Sequence, residues 1–196
     1  MPRISAATVA DHRAQQRAAL VVAARELLEE GDAAAVTFGA VAARLGLARN
    51  SVYKYFADRG ELLEAVVREV TPRWTERIHA EMAAAPPAPA EQVAAYVRAQ
   101  LALVRDGEHR IARALARDRD AAALRRGAAE AHAEILRPLT EALAALGDPD
   151  PVRTARLLQG LVNAAAELIE SGDPYEAVAR RAVRLAAGAA AALGDG

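Results

Sequence analysis

The chain has 196 residues, 53% hydrophobic and 26% charged, with 25 basic against 26 acidic side chains and a net charge of −1. That balance suits a buried core in one large or two small domains and excludes a uniformly basic nucleic-acid coat, while leaving a local basic patch open. Cysteine is absent, which excludes disulfide scaffolds, thiolate metal sites and cysteine nucleophiles and fits an intracellular setting.

Apolar residues recur at helical spacing along nearly the whole chain, with no period-2 alternation, so the expected fold class is all-α. Residues 1–5 lack the apolar stretch of a secretory signal. The first helix is expected over about 12–30, with Leu20, Ala24, Leu27 and Leu28 on one face and Gly31 as its stop. Thr37 stands as N-cap of a short second helix carrying Phe38, Val41, Ala42 and Leu45, closed by Gly46. A third helix is expected over about 48–56, with Leu47, Val52 and Phe56 inward. Asp58 and Glu61 have capping-box spacing for a fourth, striped by Leu62, Leu63, Val66, Val67 and Val70, which Pro72 should end or kink. Pro86, Pro87 and Pro89 make a stiff connector. Further helices are expected over about 73–84, 90–106, 108–117, 120–146, 151–171 and 174–193, the first of them either separate or a continuation of the fourth helix across Pro72, with a kink at Pro138. Asp150-Pro151 and Asp173-Pro174 each place Asp at N-cap and Pro at the first helical position, with Gly172 as the intervening C-cap. The uncharged run over 185–194 is about half of the roughly 20 apolar residues that a bilayer span needs. No membrane partner and a cytoplasmic location are therefore expected.

The window from 36 to 56, VTFGAVAARLGLARNSVYKYF, has what two steeply crossed short helices need. Ala42 supplies the small residue where the axes approach, Gly46 the turn and Val52 the apolar anchor. This is the pattern of a helix-turn-helix whose second helix is presented to a DNA major groove. Arg44, Arg49, Lys54 and Arg59 face only Asp58 in this part of the chain, so the patch is locally basic. Both phenylalanines and two of the four tyrosines, Tyr53 and Tyr55, lie here as well.

From Thr37 through Val67, the Leu-Gly-Leu-Ala turn, the Ser-Val-Tyr-Lys-Tyr-Phe segment and the Arg-Gly-Glu-Leu-Leu continuation resemble the N-terminal domain of tetracycline-repressor-type (TetR family) regulators. The resemblance covers about the first third of the chain. It implies a helix-turn-helix DNA-binding domain over 1–57, connecting helices over 58–84 and a helical effector-binding and dimerisation domain over 85–196. It also implies a homodimer, usually a repressor, that leaves a palindromic double-stranded operator when a small-molecule effector binds. Two positions depart from the family pattern: Ala48 where Ser or Thr often caps the recognition helix, and Arg59 where Lys is frequent. By position, Thr37, Tyr53, Tyr55 and Arg59 are expected at phosphates. Arg49, Asn50 and Lys54 are expected at bases, since Arg or Lys suits guanine and Asn suits adenine. Ser51 belongs to the same surface, and Arg44 suits either role.

In the C-terminal two thirds, Val178, Ala182, Leu185, Ala189 and Leu193 are expected on one face of the last helix, and Leu157, Leu158, Leu161, Val162, Leu168 and Ile169 make its predecessor broadly apolar. Two such hairpins suit a four-helix dimer interface, with Gly160 and Gly188 permitting close approach. Trp74, Tyr96, His132, Gln159 and Asn163 are the effector-contact candidates, as polar or aromatic residues in apolar helices. Gln159, Asn163 and Glu167 share a face that reads as the wet side of a bundle more readily than as a cavity wall. An enzyme is not expected: the histidines at 12, 79, 109 and 132 are scattered, and there is neither a phosphate-binding Gly loop nor a nucleophile elbow. No cofactor or metal is expected. The function expected is a sequence-specific DNA-binding transcriptional regulator, the alternative being a helical protein-interaction module.

Overall fold

The computed structural model describes residues 6–31, 33–117 and 122–194. Residues 1–5, where no signal segment is expected, and the expected helix start at 120 lie outside the described residues. All regular structure among the described residues is helical: α1 (Ala6–Glu30), a 3-10 turn (Ala33–Ala35), α2 (Phe38–Arg44), α3 (Arg49–Val52), α4 (Arg59–Ala84), α5 (Pro89–Arg105), α6 (Glu108–Arg117), α7 (Ala122–Ala145), α8 (Pro151–Glu170) and α9 (Tyr175–Gly194). The expected all-α class is what forms. None of the described helices is long and apolar enough to cross a membrane.

The chain forms two compact units, Met1–Glu69 with Arg110–Ala128 and Val70–His109 with Ala129–Gly196, so that α4 contributes to both. In the first unit, α1 buries Leu20, Ala24 and Leu28 completely and packs against the 3-10 turn and α2. Thr37 caps α2 as expected, its hydroxyl accepting the Ala40 N–H at 3.1 Å. The helix closes when the Leu47 N–H bonds the Ala42 carbonyl at 2.8 Å across Gly46, whose φ of +67° is a left-handed conformation that glycine adopts without strain. Ala42 and Val52 are fully buried where α2 meets α3.

One expectation changes here. The third helix does not run to Phe56: α3 has four residues, and the Tyr55 and Phe56 N–H groups both bond the Val52 carbonyl, at 2.9 and 3.1 Å. Ala48 offers no side-chain cap, and these tight turns carry the Phe56 ring into the core instead. At Pro72, of the two expected outcomes the continuous one forms, and α4 runs on through residues 73–84. Proline removes one backbone donor, but Val70, Trp74 and Ile78 beside it are all buried, and tertiary burial outweighs that loss. As expected, α7 runs through Pro138, with Leu136, Leu139 and Leu143 buried around it.

The second unit holds α5 against α8 and α9 around Tyr96, Leu101, Leu139, Leu143, Val162 and Ala166. Gln92 donates to the carbonyls of Met82 and Pro86, at 3.0 and 2.8 Å, and so closes the C-terminal end of α4. Asp150 caps α8 by accepting the Arg153 N–H at 3.1 Å. Gly172, at φ +108°, closes it, with the Asp173 N–H on the Leu168 carbonyl at 3.0 Å. In α9 the face buried within the chain is Ala182, Ala186 and Ala190, while Leu185 of the expected apolar stripe points to solvent. Three alanines at i, i+4 and i+8 let this helix lie close to α5, and that register turns Leu185 outward.

Candidate nucleic-acid interface and effector site

The recognition surface is built from the core outward. Phe38, Val52 and Phe56 are buried and fix the turns around α3, so Arg49, Asn50, Tyr53 and Lys54 are displayed to solvent. Ser51 and Tyr55 are half-buried at its margins. Tyr53 packs edge-on against Phe38, with ring centroids 4.8 Å apart, and its hydroxyl accepts from Arg49 at 3.4 Å. The exposed Thr37 hydroxyl accepts the cap bond and keeps its own proton for an external acceptor.

The four cations of the sequence window have different surroundings. Arg49 and Lys54 are exposed beside the α3 surface. Arg44 instead reaches back to α1, where its guanidinium meets Glu30 at 2.5 and 2.9 Å and Glu26 at 3.2 Å. That hydrogen bond holds the Glu30 carboxyl below its ordinary pKa. Arg59 is half-buried, its Nε donating to the Val36 carbonyl at 2.8 Å and its Nη2 to the Ala33 carbonyl. Asp58 and Glu61 form the start of α4: Asp58 accepts the Glu61 N–H at 2.9 Å, and Glu61 accepts the Ala57 N–H at 2.7 Å, one residue further back than in the reciprocal box.

Two side chains of α1 that the sequence did not single out also belong here. Arg13 donates to the Lys54 carbonyl at 3.1 Å, and the Arg17 guanidinium lies 4.8 Å from the centre of the Phe56 ring. Their spacing of i, i+4 is the only local signal that could have paired them.

In the second unit, three of the five expected effector contacts come together. The Tyr96 hydroxyl donates to Gln159 Oε1 at 3.2 Å and accepts from Gln100 at 2.8 Å, while Gln159 donates to Asn163 at 3.1 Å. Gln100 is the member the sequence missed. Burial raises the Tyr96 phenol pKa, and the Gln100 hydrogen bond works the other way. Gln159 is buried, so its face is not simply the wet side of the bundle; Asn163 and Glu167 are exposed. Trp74 and His132 stand apart from this cluster. Trp74 donates to Glu108 at 3.0 Å, and His132 is exposed on α7.

Residues 20–66 match the family model of bacterial regulatory proteins, tetR family. No curated protein matches the chain. Several solved structures share its fold. The transcriptional regulator FadR from Bacillus subtilis, in complex with stearoyl-CoA, is 18% identical over 86% of this chain and 96% of its own, with a TM-score of 0.71. SmeT in complex with triclosan is 19% identical over 88% of this chain and 90% of its own, with a TM-score of 0.66. A TetR/AcrR-family transcriptional regulator from Thermobifida fusca is 20% identical over 88% and 97%, with a TM-score of 0.62. The family match falls on the helix-turn-helix itself: residues 20–66 are similar to the DNA-binding domain of bacterial regulatory proteins of the tetR family, and the solved structures share the chain's fold.

Proposed function

We propose that this protein is a repressor that binds a palindromic operator as a homodimer and is released by a small-molecule effector held in its second unit. The observation that carries this reading is the outward display of Arg49 and Asn50 from α3 and of Lys54 from the turn after it, fixed by buried Val52 and Phe56. Arg49 and Lys54 suit guanine and Asn50 suits adenine, while Thr37, Ser51, Tyr53 and Tyr55 offer hydroxyls to the flanking phosphates. Arg44 is tied to α1 by two carboxylates, which favours a role in orienting α2.

Dimerisation through α8 and α9 is supported by apolar surface that is left uncovered among the described residues. Leu157, Leu168 and Leu185 are at least half exposed, and a groove of about 460 Å³ runs between the two helices, lined by Leu161, Ala164, Leu168, Ala177 and Leu185. A Cβ at Gly160 or Gly188 would meet nothing within 4 Å, so packing within the chain does not require glycine at either place. Close approach of a second copy would. The buried Tyr96, Gln100 and Gln159 cluster, opening at Asn163, is the polar feature that an effector would meet in an otherwise apolar interior. FadR with stearoyl-CoA and SmeT with triclosan are folds of this kind with a ligand bound.

Footprinting of the purified protein on its own upstream DNA tests the reading. Two protected half-sites one helical turn apart, about 34 Å or a multiple of it, with release by members of a small-molecule library, are expected. Protection of no selective site in a genome-wide selection, with retention of a protein partner instead, contradicts it.

A further inference from the structure

We propose that Arg59 is a positioning residue of the DNA-binding face and not a ligand of the DNA backbone. The inference rests on the DNA-binding reading and assigns to Arg59 a role different from its expected phosphate contact. Its guanidinium is half-buried and turned into the protein, with Nε and Nη2 donating to the carbonyls of Val36 and Ala33. Those carbonyls bracket the end of the 3-10 turn, where the Val36 N–H bonds the Ala33 carbonyl at 3.1 Å. Thr37, the cap of α2, is the next residue. Arg59 is itself the first residue of α4.

The chain therefore enters the helix-turn-helix at Val36, passes through α2 and α3, and returns at Arg59 to the place where it entered. The guanidinium closes that loop. A planar fork that meets two carbonyls fixes both distance and orientation, so the first turn of α4 and the entry to α2 move as one piece. Arg49 and Lys54, by contrast, are exposed. A lysine at 59 keeps the charge but has a single ammonium on a flexible stem and does not reproduce the two-point grip.

The full-length protein, Arg59→Lys and Arg59→Gln are titrated with operator and with an unrelated duplex across a salt series, each well below its own thermal midpoint. The expected result is a loss of at least tenfold in operator affinity in both variants, with unrelated-duplex affinity nearly unchanged. The slope of log K against log salt stays at the wild-type value. A phosphate contact predicts instead that Arg59→Lys binds like wild type and that Arg59→Gln lowers the slope by about 0.9. A purely stabilising role predicts a lower thermal midpoint with unchanged operator affinity. Either result overturns the proposal. Should the variants not fold, the unmodified protein still decides: the Arg59 Nε–H should be slow to exchange without DNA and keep its NMR shift on adding operator, whereas fast exchange or a large shift overturns the assignment. Absence of selective binding by the unmodified protein strikes the DNA-binding reading as well, and slow exchange in the DNA-free protein isolates the clamp from that failure.

Discussion

Tyr96 is the largest fully buried side chain among the described residues, and its hydroxyl bridges Gln100 and Gln159. Tyr96→Phe keeps the ring and removes the bridge, leaving two amide groups without that partner in the core. The expected cost is about 1–3 kcal/mol, read as a lower denaturation midpoint at unchanged m-value. Gly46→Ala should cost about 1 kcal/mol, because its φ of +67° is strained for alanine even though a Cβ there meets nothing. Ala48→Ser works in the other direction: α3 has no side-chain cap, and supplying one should stabilise the protein by about 0.5–1 kcal/mol in thermal unfolding. Residue roles were legible where partners are near in sequence, as with Thr37 and Ala40 or Asp150 and Arg153. They were not legible for Arg44 and Arg59, whose partners lie 14 to 26 residues away on other elements. A count of charges in one window cannot see Glu26 and Glu30 folded beside it.

At the scale of elements, caps and glycine stops marked the helix ends well, since one side chain or one left-handed residue decides them. What they could not weigh was tertiary burial. Pro72 carries the sequence signature of an end or a kink and Pro138 that of a kink, and with the apolar residues around each buried both helices continue. Ala and Leu are both apolar, so the sequence does not say which of them packing selects for the inner face of α9, here Ala182, Ala186 and Ala190. The outward faces of α8 and α9 make a direct prediction. Gly188→Ala and Gly160→Ala should raise the intrinsic stability of the separated chain, by up to about 1 kcal/mol each, and weaken self-association measured by sedimentation. Leu185→Glu should leave folding intact and yield monomers. The corner between α5 and α6 offers a test by pH. Asp106 meets Arg77 at 2.6 Å and Arg105 at 3.1 Å, and these two hold its carboxyl below the ordinary value. A depressed folded-state pKa gives stability that is in place above the unfolded carboxylate pKa and is lost as pH falls through the folded value. Asp106→Asn should therefore flatten the acid limb of a plot of thermal midpoint against pH.

At the scale of the whole molecule, the compact units divide the chain inside α4 and draw the segment Arg110–Ala128 into the N-terminal unit. Composition marks the proline-rich connector before α5, but it carries no record of which distant segment joins which core. An effector that prefers one arrangement of the dimer can act only through a difference in affinity between arrangements. Under the proposed function, Asn50 on α3 and Lys54 in the turn after it read DNA. The most direct measurement compares full-length wild type with the Asn50→Ala, Lys54→Ala double variant for binding to the footprinted operator and to scrambled DNA. Both side chains are exposed, so the thermal midpoint should not move, while selectivity for operator should fall by at least tenfold, the loss of about one to two base contacts at ~1–3 kcal/mol each. Undiminished selectivity in a folded double variant would contradict the account, because the reading surface would then lie elsewhere on the protein.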